Sequence, residues 1–138
     1  MDQPRRKVVL VEDDPDARHV LARALRGKGF EVLQAGDGEL GLSLIARNRP
    51  DLVCLDISLP HISGFDVCEM VRANMDIRHA RILIITGRST PQDRAIAETV
   101  GADGYLTKPF SIAAFTGLVE RLMQAEQEPV PLSPKVHQ

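Results

Sequence analysis

The chain has 138 residues, 43% apolar and 26% charged, which suits a single domain with one core. Its net charge of −2 gives no global electrostatic footprint for nucleic acid. The N-terminus reaches the acidic cluster Glu12-Asp13-Asp14 before any long apolar run develops, so it resembles neither a signal peptide nor a membrane span, and a cytoplasmic location is expected.

Residues 7–12 contain Val8-Val9-Leu10-Val11, a continuous β-branched and aliphatic run of the kind covered on both faces in a parallel sheet. Asp14-Pro15 then reads as an N-cap and first-turn pair. The helix that follows runs to about Lys28, with Ala17, Val20, Leu21, Ala24 and Leu25 expected inward, and Gly27 and Gly29 ending it. Arg18, Arg23, Arg26 and Lys28 read as its solvated basic face. A second strand spans 31–35. Asp37 caps a helix to about Asn48, with Leu40, Gly41, Leu44 and Ile45 expected inward and Pro50 closing it.

The third strand, Leu52-Val53-Cys54-Leu55, runs straight into Asp56. A carboxylate there is costly unless something pairs it. Ser63 caps the next helix, whose apolar stripe is Phe65, Cys68 and Val71. A fourth apolar strand, 81–85, ends at Thr86-Gly87. Thr90-Pro91 opens a short helix to about Val100, and Tyr105-Leu106 forms a brief fifth strand before Lys108-Pro109-Phe110. Ser111 caps the last helix, with Ile112, Phe115, Val119 and Leu122 expected inward and Gly117 weakening it. Beyond Ala125, Glu, Gln and three prolines point to a disordered tail or linker stub. The expected division is 6–124 for the domain and 125–138 for the tail. Cys54 and Cys68 read as small core residues in a reducing compartment, and His19, His61, His79 and His137 as surface or tail residues.

Five strand–helix alternations predict an α/β, doubly wound parallel sheet. Such sheets bind ligands beyond the carboxyl ends of their strands. There the sequence places Glu12 and Asp13, Asp56, Thr86 and Lys108. Taken singly, Asp13 and Asp14 also suit helix capping, and Asp56 a solvated loop. Taken together they form a site. Three neighbouring carboxylates raise one another's pKa, and a hard divalent cation such as Mg²⁺ relieves this. A carboxylate beside Mg²⁺, faced by a lysine and a hydroxyl, can accept a phosphoryl group. No Gly-rich phosphate loop is present to hold a nucleotide.

These pieces resemble the receiver domain of two-component response regulators, of the chemotaxis-regulator kind. The resemblance is carried by Val-Val-Leu-Val-Glu-Asp-Asp-Pro at 8–15, Asp56 with Pro60 and Gly64 after it, Thr86, and Lys108-Pro109-Phe110 after Gly-Ala-Asp-Gly-Tyr-Leu at 101–106. It covers about residues 6–124 and implies a flavodoxin-like (βα)5 fold with strand order 2-1-3-4-5. By the same resemblance Asp56 is the phosphoacceptor, Thr86 and Lys108 bind the phosphoryl group, and Mg²⁺ is held directly by Asp13, Asp56 and the Ser58 backbone carbonyl, with Glu12 acting through water. Lys108-Pro109 is expected to be cis, and Thr86 with Tyr105 to form the switch. Ser58 and Arg88 fall near the phosphoryl's water access. The departures are mild: Glu12 in place of an aspartate, Leu59 in place of methionine and Gly87 in place of alanine.

The function so implied is a phosphorylation-switched signalling module. Its phosphate would come from a sensor histidine kinase or a histidine phosphotransfer protein. Its fourth helix, fifth strand and fifth helix, about 91–122, would control a downstream effector protein. Direct nucleic-acid or membrane contact is not expected, the chain is expected to be a monomer or weak dimer, and its only chemistry would be phosphorylation and dephosphorylation of its own Asp56. The competing readings are a phosphate-independent protein-binding module on the same fold and a phosphatase acting on outside substrates.

Overall fold

The computed structural model of the chain describes residues 5–87 and 90–127, the last three by their backbone alone. Strands β1 (Lys7–Val11), β2 (Glu31–Ala35), β3 (Leu52–Asp56), β4 (Arg81–Thr86) and β5 (Gly104–Thr107) alternate with helices α1 (Pro15–Gly27), α2 (Gly38–Asn48), α3 (Gly64–Ala73), α4 (Pro91–Thr99) and α5 (Ile112–Gln127). The strands form one parallel sheet in the order β2-β1-β3-β4-β5, as expected. Residues 128–138 of the expected tail, His137 among them, lie outside the described residues.

Strand alternation divides the core between the two sheet faces. Val9, Val11, Val53, Leu55, Ile82 and Ile84 face α2, α3 and α4. Val8, Leu10, Leu52, Cys54, Leu83 and Ile85 face α1 and α5. Every residue of β3 is buried, which is why that segment is continuously apolar up to Asp56. Both cysteines are buried, and burial pushes the Cys68 thiol up to about 11 and the Cys54 thiol higher still.

The five expected caps form. Asp14 accepts from the Ala17 N–H, Asp37 from Leu40, Ser63 from Asp66, Thr90 from Asp93 and Ser111 from Ala114. Three of the expected inward residues do not pack inside. Val20, Leu40 and Ile112 are each more than 40% exposed, while Ala22 and Val67 take buried places. Val20 and Ile112 meet along an open groove between α1 and α5, so they line a cleft instead of filling the core.

One tertiary clamp has no local signal in the sequence. Arg72, near the end of α3, donates to the carbonyls of Gly101, Arg78 and Ala80 and pairs with Asp103 at 2.7 Å. Asp103 also accepts from the Ile82 N–H. This ties the α4–β5 loop to α3 and the start of β4. Gly101 has φ +95°, and a Cβ there would lie 2.9 Å from the Arg72 stem, so glycine suits the loop on both counts.

Candidate functional site

The carboxyl ends of β1, β3 and β5 meet at one edge of the sheet. Glu12, Asp56 and Lys108 are in phase with Leu10, Cys54 and Leu106, so alternation sends all three toward the α1–α5 side. Glu12 and Asp56 are only 1% and 4% exposed. The Lys108 ammonium lies between them, donating to Glu12 Oε1 at 3.0 Å and Asp56 Oδ2 at 2.9 Å. The second oxygen of each carboxylate is also satisfied: Asp56 Oδ1 accepts from the Ser58 N–H at 2.9 Å and Glu12 Oε2 from the Asp14 N–H at 3.1 Å.

The expected upward shift falls on Glu12, whose carboxyl is held above the usual carboxylate range. Its main cause is burial. The Lys108 and Asp14 hydrogen bonds oppose it, and repulsion from Asp56 adds only the smallest contribution. For Lys108, burial works against the charge, but the hydrogen bonds to Asp56 and Glu12 outweigh it and raise the ammonium's pKa.

The local geometry explains the spacing of the motif. The Gly64 N–H donates to the Ile57 carbonyl at 3.0 Å as α3 begins. A Cβ on Gly64 would overlap the Asp56 carbonyl oxygen and lie 2.8 Å from the Ile57 Cα, so only glycine lets α3 start this close to the end of β3. The Lys108-Pro109 bond is cis, as expected, and the Lys108 N–H bonds the Thr86 carbonyl at 2.8 Å. Thr86 is fully buried at the end of β4. Tyr105 is half-buried and pairs in register with Ile84, which places it on the same sheet face as Thr86, two residues further along β4. Ser58 is exposed beside the site, and Arg88 lies outside the described residues.

One oxygen from each of Glu12, Asp13 and Asp56 can be chosen so that all lie within 4.8 Å of one another. These are hard donors, Asp13 is open to solvent, and among the described residues the Lys108 ammonium is bonded to the two buried carboxylates. Such a set fits a hard divalent cation that keeps several waters, as Mg²⁺ does. Asp14 is taken up by its helix cap.

Arg18 departs from its expected place on a solvated face. It is half-buried, and its Nη1 donates to the Glu12 carbonyl at 2.8 Å. Gly36 leaves room for it, since a Cβ there would lie 3.2 Å from that same nitrogen. An arginine in the second turn of the helix that follows the acidic pair was the available signal.

Comparison with known proteins agrees with this geometry. The DNA-binding response regulator MtrA of Mycolicibacterium smegmatis is 37% identical over 130 residues, covering 94% of this chain and 56% of that protein. The chain thus spans about half the length of the curated relatives it matches. Chemotaxis protein CheY4 of Vibrio cholerae superposes with a TM-score of 0.82 at 28% identity, over 86% of this chain and 99% of that one. The receiver domain of a Pseudomonas aeruginosa sensor histidine kinase, solved with a magnesium ion coordinated in its active-site cleft, gives a TM-score of 0.80 at 28% identity, over 88% and 99%. The response regulator receiver domain pattern matches residues 8–120, from within the first strand to the middle of the last helix, and the chain belongs to that family.

Proposed function

We propose that this chain is switched by phosphorylation of Asp56. The observation that carries the reading is the Lys108 ammonium shared between Asp56 and Glu12 at the end of a fully buried strand. An Asp56 carboxylate oxygen attacks the phosphorus of a phosphohistidine on a sensor kinase or phosphotransfer protein. The P–N bond breaks, and its electron pair stays on the imidazole nitrogen. Lys108 exchanges a carboxylate partner for a phosphoryl oxygen, and the Thr86 hydroxyl donates to another. Asp13, Asp56 and the Ser58 carbonyl would hold a Mg²⁺ ion here, with Glu12 acting through water. When bound, the ion neutralises charge on the transferring group and on the acidic cluster.

Thr86 and Tyr105 then carry the change to α4, β5 and α5, the face offered to a downstream protein. Residues 6–124 form the receiver unit. The domain is a signalling device, and its chemistry is confined to its own Asp56. DNA binding is named for relatives of which this chain matches about half, so in such a protein the receiver would act on DNA through another segment.

Acetyl phosphate with Mg²⁺ supplies the test, read by intact mass. The wild type should gain one phosphate and Asp56→Asn none. An unmodified wild type, or an equal adduct on the variant, rejects the reading and favours a phosphate-independent binding module on the same fold.

A further inference from the structure

Two of the three carboxylates at the acidic edge are held through their own oxygens. Glu12 and Asp56 each have one oxygen on Lys108 and the other on a backbone N–H. Asp13 is exposed, and the direction in which its side chain sets out depends on the backbone beneath it. That backbone leaves the sheet here. Val11 is the last residue of β1 in register with its neighbours, Ala35 and Leu55. Past it the Glu12 N–H donates to the Ala35 carbonyl at 3.0 Å, and the Glu12 carbonyl accepts from Arg18 Nη1 at 2.8 Å. This carbonyl and the Asp13 N–H belong to one planar peptide unit. Fixing its oxygen fixes the rotation of the whole unit, and with it the direction in which Asp13 leaves the chain. Arg18 is itself seated. It is half-buried on α1, and Gly36, in the turn after β2, leaves the space its guanidinium fills, since a Cβ there would lie 3.2 Å from Nη1.

We propose that Arg18 is a positioning residue for the metal: by holding the Glu12–Asp13 peptide it keeps the Asp13 carboxylate grouped with those of Glu12 and Asp56, all within 4.8 Å of one another. The inference rests on the reading of these three acids as the Mg²⁺ site. Its sign is opposite to what charge alone would give. Arg18 brings a positive charge to the edge where a cation binds, so as a charge it weakens binding and its removal would help. As a support it strengthens binding, because a ligand already aimed loses less freedom when the ion arrives. A hydrogen bond of this kind is worth about two- to tenfold in an equilibrium constant. The charge effect of a half-exposed guanidinium is screened by salt, over a length of about 8 Å at physiological ionic strength, so the support outweighs it there.

The test is a Mg²⁺ titration of the full, unphosphorylated chain at physiological ionic strength, with the dissociation constant read from backbone amide resonances by NMR. Wild type is compared with Arg18→Met, which keeps the aliphatic stem and removes every donor, and with Arg18→Lys, which keeps the charge and returns one donor on a shorter stem. Metal-free urea unfolding confirms that each variant is folded, so that the constants refer to folded chains. Arg18→Met should raise the dissociation constant about two- to tenfold although it removes a positive charge. Arg18→Lys should lie between wild type and Arg18→Met. An unchanged constant in Arg18→Met overturns the proposal, since Arg18 then supports the fold alone. A lowered constant overturns it as well, since Arg18 then acts only as a nearby charge. An Arg18→Lys chain that binds no more tightly than Arg18→Met also overturns it. If the wild type shows no saturable response to Mg²⁺, the metal reading itself fails and this inference with it, a result distinct from the other three.

Discussion

Lys108 is the residue on which the acidic edge depends. Two carboxylates stand almost fully buried, and its single ammonium is bonded to both. Lys108→Met should therefore cost about 1–3 kcal/mol at neutral pH in urea unfolding, because it strands acceptors already removed from water. The pH dependence has a definite sign. Glu12 is held above the ordinary carboxylate range, so the folded chain binds its proton more tightly than the unfolded chain does. Stability from this group is greatest at acid pH and declines as pH rises from the ordinary value of 4.5 through the raised one. The loss in Lys108→Met should accordingly shrink as pH is lowered through that window, where a protonated Glu12 no longer needs a cation. Lys108 is itself raised, so its contribution is complete below 10.5 and disappears only as pH rises through its higher folded value. A Lys108→Met loss that stayed constant from pH 7 to pH 4 would contradict this account.

Two glycines show how elements constrain the site differently. Gly64 opens α3 against the end of β3, and any Cβ there meets the Asp56 carbonyl. Gly64→Ala should destabilise by about 1–3 kcal/mol, as overpacking does, and should also slow phosphorylation by displacing Asp56. Gly117 lies inside α5 with open space where a Cβ would be. Gly117→Ala should stabilise by about 0.5–1 kcal/mol, the cost of glycine in a helix interior. Urea unfolding of the two variants should move in opposite directions. The caps at Asp14, Asp37, Ser63, Thr90 and Ser111 were legible because each is a contact between residues three apart. The inward faces were legible only in part. Periodicity marks an apolar arc, but neighbouring elements decide how much of it is covered, and Val20, Leu40 and Ile112 fall outside the covered part.

The whole molecule couples its stability to the acidic edge. Folding alone brings Glu12, Asp13 and Asp56 together, so an ion that binds them stabilises the folded chain by linkage. At ten times its dissociation constant, Mg²⁺ should add about 1.4 kcal/mol. For a domain of this size that raises the melting temperature by roughly 3–6 °C. Asp13→Asn should flatten the response. A wild-type melting temperature unchanged in millimolar Mg²⁺ would count against the metal site. Among the described residues no helix is long and apolar enough to cross a membrane.

The sequence by itself determined the alternation of strands and helices, the caps, and the residue types that stand at the strand ends, because each is set by neighbours along the chain. Strand order came with the family resemblance, and the sheet bears it out. Only the tertiary structure decided how those ends are wired. Lys108 reaches back across 96 residues to Glu12, Arg18 folds onto the Glu12 carbonyl, and Arg72 clamps a loop 29 residues away. It also placed Arg94 over Tyr105. Apart from the Arg18 contact, which spans only six residues, these contacts leave no periodic or local trace. A long polar side chain can reach many partners, and packing selects among them by leaving one within hydrogen-bond or stacking distance.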